Sequence, residues 1–325
     1  MLLSLINKSL LFTSALMAIA TPIILPRVTQ AQSDSQAVTI TFEGRVGDQP
    51  FSCSETYIGL GTSQATVNAT DFRFYISDVA LIDTEGNAIP LELEQDNQWQ
   101  YQNVALLDFE DKTGACANGT VETRNIVVGT VPQGDYQGLQ FTLGVPEQLN
   151  HEDAAIAPSP LNLTSMWWNW QGGYKFLRVD LENQATALNS KGMNHGEISH
   201  GETPHGHDSN GTFLIHLGST GCQETSQSYE CSNPNRSDVT LANFDPANNI
   251  VVADLANLVA QSDLSSNQPD TPNGCMSSPE DLDCMAIFQN LGLPFNDNPA
   301  EESPVPRLEK TGLAGDRWST FFRIE

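Results

Sequence analysis

The sequence predicts a mainly β protein: an antiparallel β-sandwich or barrel-like domain with short helices and long loops, stapled by disulfides. Three observations predict it. Short runs rich in β-branched and aromatic residues recur along the chain, as in Val38 to Val46 and Phe72 to Ile82. Gly, Asn, Asp and Pro punctuate the gaps, as in Thr84-Glu85-Gly86-Asn87 and Pro132-Gln133-Gly134-Asp135. All 6 cysteines follow a leader-like N-terminus, an even number that suits disulfides in an exported chain.

The elements follow in order. Residues 1–31 read as a signal peptide: Lys8 gives a short positive region and Leu10 to Leu25 an apolar run. Thr29 and Ala31 place small residues where a signal peptidase cuts, so the expected mature start is Gln32. Pro22 and Pro26 interrupt the run and argue against the competing reading, an uncleaved spanning helix. Residues 32–325 are read as a single domain. After the first two strands come Val104 to Phe109, Ile126 to Val131, Leu139 to Gly144, Tyr174 to Leu181, Thr212 to Leu217 and Ile250 to Ala253. Helices are expected at Asp254 to Ala260 and Glu280 to Leu291. The stretch 183–210 reads as a histidine-containing loop, and 293–306 as a Pro-rich connector before a last strand within 316–325. Close spacing pairs Cys222 with Cys231 and Cys275 with Cys284, which leaves Cys53 with Cys116.

Composition excludes some functions. The net charge is −26, with 14 Lys and Arg against 40 Asp and Glu, so a phosphate backbone is not the partner. Such a surface keeps the chain soluble and favours cations or a basic protein. There is no Gly-x-Ser-x-Gly, no phosphate-binding glycine loop, no His-Glu-x-x-His and no Cys-x-x-Cys-His haem attachment. Carboxylates are abundant but unspecific, so paired-acid glycosidase chemistry is neither excluded nor supported.

Three of the 5 tryptophans fall in Met166-Trp167-Trp168-Asn169-Trp170. On a strand, Met166, Trp168 and Trp170 would share one face and Trp167 the other. The plain reading is rings that fill a core; Gly172-Gly173 beside them permits a close backbone approach or a bulge. His216 interrupts the apolar strand Phe213 to Leu217. It is either a buried histidine satisfied by a carbonyl or a metal ligand held rigidly, its second nitrogen oriented by an acceptor. His151 stands in a turn beside Glu152 and Asp153. His195, His200, His205 and His207 suit loose metal capture, not a rigid site.

Six motifs in order carry a resemblance: Phe72 to Val79, Val104 to Phe109, Phe141 to Pro146, Leu149-Asn150-His151, Met166 to Phe176, and His216 to Cys222. Together they resemble the MbnP-like family, also described as the metallo-mystery pair four-Cys proteins, over Val38 to Leu293. The resemblance implies a periplasmic or secreted copper-binding protein that is not itself an enzyme. It further implies a partner, a dihaem cytochrome c peroxidase-like protein of the MauG or MbnH type, that oxidises a tryptophan of the Trp-x-Trp motif to kynurenine. Carried over, the candidate copper ligands are His151 and His216, and the candidate modified residues are Trp168 and Trp170. The loop His195 to His207 lies outside those motifs and stands as a separate, secondary metal loop. The reading from another class is an extracellular interaction module without metal chemistry.

Overall fold

The structure, a computed structural model, describes residues 35–169, 171–184, 211–225, 229–295 and 319–325. The leader, Trp170, the histidines His195, His200, His205 and His207, most of the Pro-rich connector and the start of the last strand lie outside the described residues.

The described strands that position the site are β1 (Ser35–Val46), β2 (Ala65–Asp83), β3 (Val104–Asp108), β4 (Ile126–Pro132) and β5 (Tyr136–Leu143). A small pair follows, β6 (Trp167–Asn169) and β7 (Gly173–Tyr174), then β8 (Leu177–Asn183) and β9 (Thr212–Leu217). A hairpin, β10 (Thr220–Glu224) and β11 (Tyr229–Asn233), leads to β12 (Ser237–Ala242), β13 (Val251–Asp254), β14 (Gly274–Cys275) and β15 (Phe322–Ile324). The helices are short: α1 (Glu147–Asn150), α2 (Leu255–Leu258) and α3 (Asp283–Asn290), with a 3-10 turn at Thr164–Met166.

Two sheets face each other. One runs β15-β13-β1-β4, and the other β12-β5-β2-β8-β9-β14, with β3 also on β2. Between them the rings of Phe42 from β1, Phe74 from β2, Phe141 from β5 and Phe322 from β15 meet edge to face, with centroids 5.1 to 6.2 Å apart. In β1 burial alternates, with Val38, Ile40, Phe42, Gly44 and Val46 inward, as a sheet covered on one face requires.

Among the described strands the ladders are antiparallel except two. Strand β13 joins β1, and β14 joins β9, in parallel, because the chain reaches both edges by long returns instead of hairpins. The run expected as one strand from Tyr174 to Leu181 is two. It breaks at Lys175 and Phe176, where Phe176 N–H turns to the Leu217 carbonyl at 2.6 Å. The helix expected from Asp254 begins at Leu255, since Asp254 ends β13 and its carboxylate caps the helix by accepting from Ala256 N–H. The helix expected over Glu280 to Leu291 is α3, shorter at both ends.

Strand β2 spans nineteen residues and is buried on both faces from Asp71 to Val79 except at Asp78. Its outer face is covered by the excursion between α1 and β6: the Tyr75 hydroxyl donates to the Pro160 carbonyl at 2.8 Å and the Tyr174 hydroxyl to that of Leu161 at 2.6 Å. A third layer therefore closes over one face of the second sheet. Disulfides join Cys53 to Cys116, Cys222 to Cys231 and Cys275 to Cys284, and no cysteine is free. This is the cysteine usage of an oxidising compartment. No helix among the described residues is long and apolar enough to cross a membrane.

Candidate metal centre

The covered face is polar where a core is usually apolar. Cross-strand register puts Asp108 of β3, Arg73 of β2, Arg178 of β8 and His216 of β9 in one row. Asp71 and Asp180 stand opposite each other in the next row. Strands β2 and β8 each supply two of these residues at alternate positions, and their apolar neighbours Phe72 and Val179, like Ile215 of β9, point into the sandwich.

Buried charges need partners, and these have them. Arg73 meets Asp71 in a short charge-assisted contact and lies 3.5 Å from Glu110. Arg178 bridges Asp71 at 3.2 Å and Asp180 at 2.6 Å. Asp180 Oδ1 lies 2.7 Å from His216 Nε2. A carboxylate only accepts, so Nε2 carries the proton and donates, and the neutral ring presents its lone pair at Nδ1. Burial drives the His216 pKa below its ordinary value, more than Asp180 raises it. Burial opposes the charge of Asp180, yet the His216 hydrogen bond and Arg178 outweigh it and hold its carboxyl at about 2. The pair is thus an anionic carboxylate orienting a neutral imidazole, the arrangement of a ligating histidine. The acceptor is a side chain from β8, not a carbonyl.

The backbone beyond His216 is fixed as firmly. The buried Ser277 hydroxyl donates to the His216 carbonyl and accepts from Gly218 N–H, both at 2.9 Å. Asn235 Nδ2 donates to the Gly218 carbonyl at 2.8 Å. Gly218 is required there: a Cβ would lie 2.5 Å from Trp168 Cζ3 and 2.7 Å from the Tyr174 carbonyl. The benzo edge of the Trp168 indole lies across Gly218, two residues past His216. Gly172 underlies the same ring, with a Cβ position 3.2 Å from Cε3.

His151 follows α1, whose last residue, Asn150, meets the β6–β7 hairpin. Asn150 Oδ1 accepts from Tyr174 N–H at 3.0 Å, and Gly173, with φ +71°, lets its backbone come against Asn150. With Asn150 so oriented, its Nδ2 faces His151 Nε2 at 3.3 Å. The imidazole lies over Tyr229, centroids 4.5 Å apart, and its Nε2 is 3.4 Å from Cys231 Sγ of the β10–β11 bridge.

The expected alternation through the tryptophans needs correction. Met166 belongs to the 3-10 turn and is buried, so it shares no strand face with Trp168. The division between Trp167 and Trp168 has a different origin. Trp167 pairs with Tyr174 across the small hairpin, packs on the core and buries an Nε1–H with no partner among the described residues. Trp168 remains partly exposed over the two glycines. Trp170 and the loop histidines His195, His200, His205 and His207 lie outside the described residues. Sequence reasoning missed Asp71, Arg73, Arg178, Asp180 and Ser277. The pattern Asp71-Phe72-Arg73, mirrored in Arg178-Val179-Asp180 within apolar strands, was the available signal.

The structure places a rigid neutral imidazole at His216, with the Trp168 indole over Gly218 two residues on, and a second imidazole at His151 beside the β10–β11 bridge. Such a set can bind a borderline metal ion. The MbnP family model matches residues 35–277. Among solved structures, MbnP from Methylosinus trichosporium is similar with a TM-score of 0.71 and 29% identity, covering 90% of this chain and 98% of that one. No curated protein matches. The match spans most of the chain, including both histidines and the Trp168 hairpin, and the chain belongs to the MbnP family.

Proposed function

We propose that this chain is an exported copper-binding protein, periplasmic or secreted and not itself an enzyme, with His216 and His151 as copper ligands. The observation that carries the reading is the His216–Asp180 pair: a buried, neutral imidazole whose Nε2 is committed to a carboxylate, which leaves Nδ1 as the lone-pair nitrogen. The donor chemistry fits copper, which imidazole nitrogens bind tightly among first-row divalent ions. Copper bound there would act as the protein's cargo or its redox centre. The chain's own residues fix ring orientation through Asp180, backbone position through Ser277, and approach of the indole through Gly218 and Gly172.

Maturation belongs to the same reading. A dihaem partner of the MauG or MbnH type oxidises Trp168 or Trp170 to kynurenine. Opening the indole yields an aromatic amine and a ketone, donors that the parent ring lacks. Trp168 is supported by its place two residues' reach from His216 and by its partial exposure, which suits electron loss to a docked partner. The strongly acidic chain favours a partner with a basic docking face.

Intact and peptide mass spectrometry after co-expression with the dihaem partner tests this. The expected result is the kynurenine mass change, localised to the peptide holding Trp168 and Trp170. An unchanged mass beside an active partner contradicts it.

A further inference from the structure

The bridge beneath His151 differs from the other two. Cys53 and Cys116 are 3% and 0% exposed, and Cys275 and Cys284 are both 0% exposed. Cys222 and Cys231 are partly exposed, on a two-stranded hairpin outside both main sheets. Access governs thiol–disulfide exchange, so a reductant meets this bridge first. The two cysteines stand directly opposite each other in the β10–β11 ladder, so the strands keep the sulfurs adjacent after the bond opens. The His151 ring is held over them by Tyr229, a residue of the same hairpin. One ring nitrogen and both sulfurs lie within 4.8 Å of one another.

We propose that Cys222, Cys231 and His151 form a redox-gated metal site that binds one soft metal ion when the bridge is reduced. A dithiol reductant supplies two electrons and two protons. The S–S bond breaks, two thiols form, and the reductant leaves as its own disulfide. Metal entry then displaces both thiol protons, leaving two thiolates and the His151 imidazole as ligands, with a fourth position open. Thiolates select soft or borderline ions, copper(I) and zinc(II) before magnesium or calcium. In the oxidised chain the sulfurs are spent on each other, and His151 is left to the site at His216. The hairpin would thereby decide which metal His151 serves.

The test uses the full mature chain, without oxygen, and cobalt(II) as the probe. Mild dithiol treatment followed by alkylation is expected to label Cys222 and Cys231 and leave the other four cysteines unlabelled. The treated, unalkylated chain is expected to bind one cobalt(II) with a thiolate-to-metal charge-transfer band, absent before reduction and absent in Cys222→Ser with Cys231→Ser. His151→Gln is expected to keep the band and weaken affinity at least ~10-fold, the scale that losing even an outer partner of a ligand reaches. Labels on the buried pairs, no band after reduction, a band that survives the double serine variant, or unchanged affinity in His151→Gln would each overturn the proposal. Copper titration of oxidised His216→Ala addresses the copper reading separately, so either can fail alone.

Discussion

His216 and Asp180 lie thirty-six positions apart in sequence and 2.7 Å apart across the β8–β9 ladder, the nitrogen donating to the carboxylate. That contact fixes the ring of a histidine on an apolar strand in the orientation the proposed copper site needs. Replacing Asp180 with Asn keeps the shape and removes the charge. Orienting acceptors of ligating histidines are worth a factor of about 10 to 100 in metal affinity. Asp180→Asn should therefore raise the copper dissociation constant by that factor in competition titrations against a chelator, while His216→Ala should abolish the site.

Gly218 is the second point of control. An added Cβ would meet Trp168 Cζ3 and the Tyr174 carbonyl, the latter being backbone that cannot swing away. Gly218→Ala should cost about 1–3 kcal/mol by overpacking. It should also move the Trp168 ring, seen as a changed emission maximum of the folded protein. Loss of stability with unchanged emission would mean that the ring does not rest on Gly218.

Asp108 gives the fold a pH dependence. Burial pushes its carboxyl up to about 8, against Arg73, with Glu110 adding to the rise. A raised carboxyl binds a proton in the folded state that the unfolded chain releases. Its contribution to stability is complete below about pH 4 and is lost as pH rises through about 8. Melting temperatures across that window should fall less for Asp108→Asn than for the natural chain. Equal slopes would place the titration elsewhere.

The Cys53–Cys116 bridge ties down the loop that covers this network. Ala115 N–H donates to the Cys53 carbonyl, and Thr120 N–H to the Glu110 carboxylate beside Arg73. Its sequence separation is 63, against 9 for Cys222–Cys231. On chain entropy alone, removing the longer closure costs about 4 kcal/mol and the shorter about 2.5. Paired serine variants should show that order in denaturant midpoints.

Much of the fold could be read from local pattern. The strands of β1 and β9 alternate or run apolar over enough residues to declare themselves, and cysteine spacing indicated the same bridges that the structure contains. Strand β12 did not: Ser237, Asp238 and Thr240 dilute its apolar signal, and it is set by pairing with β5. The hairpin β10–β11 is polar and held by its bridge. The site was legible only in its histidines and tryptophans. Asp71, Arg73, Arg178 and Asp180 come together through register between β2, β8 and β9, a long-range quantity that no local window contains. The same distance in sequence hid the role of Ser277, which clamps the backbone of His216 from sixty-one residues away.

If His216, set by Asp180, and His151 hold copper, the two imidazoles are needed together. Copper content and affinity of the partner-matured full chain, compared with His151→Ala plus His216→Ala, test it most directly. The double variant, folded by circular dichroism, is expected to lose tight copper binding. Undiminished tight binding by that variant would contradict it.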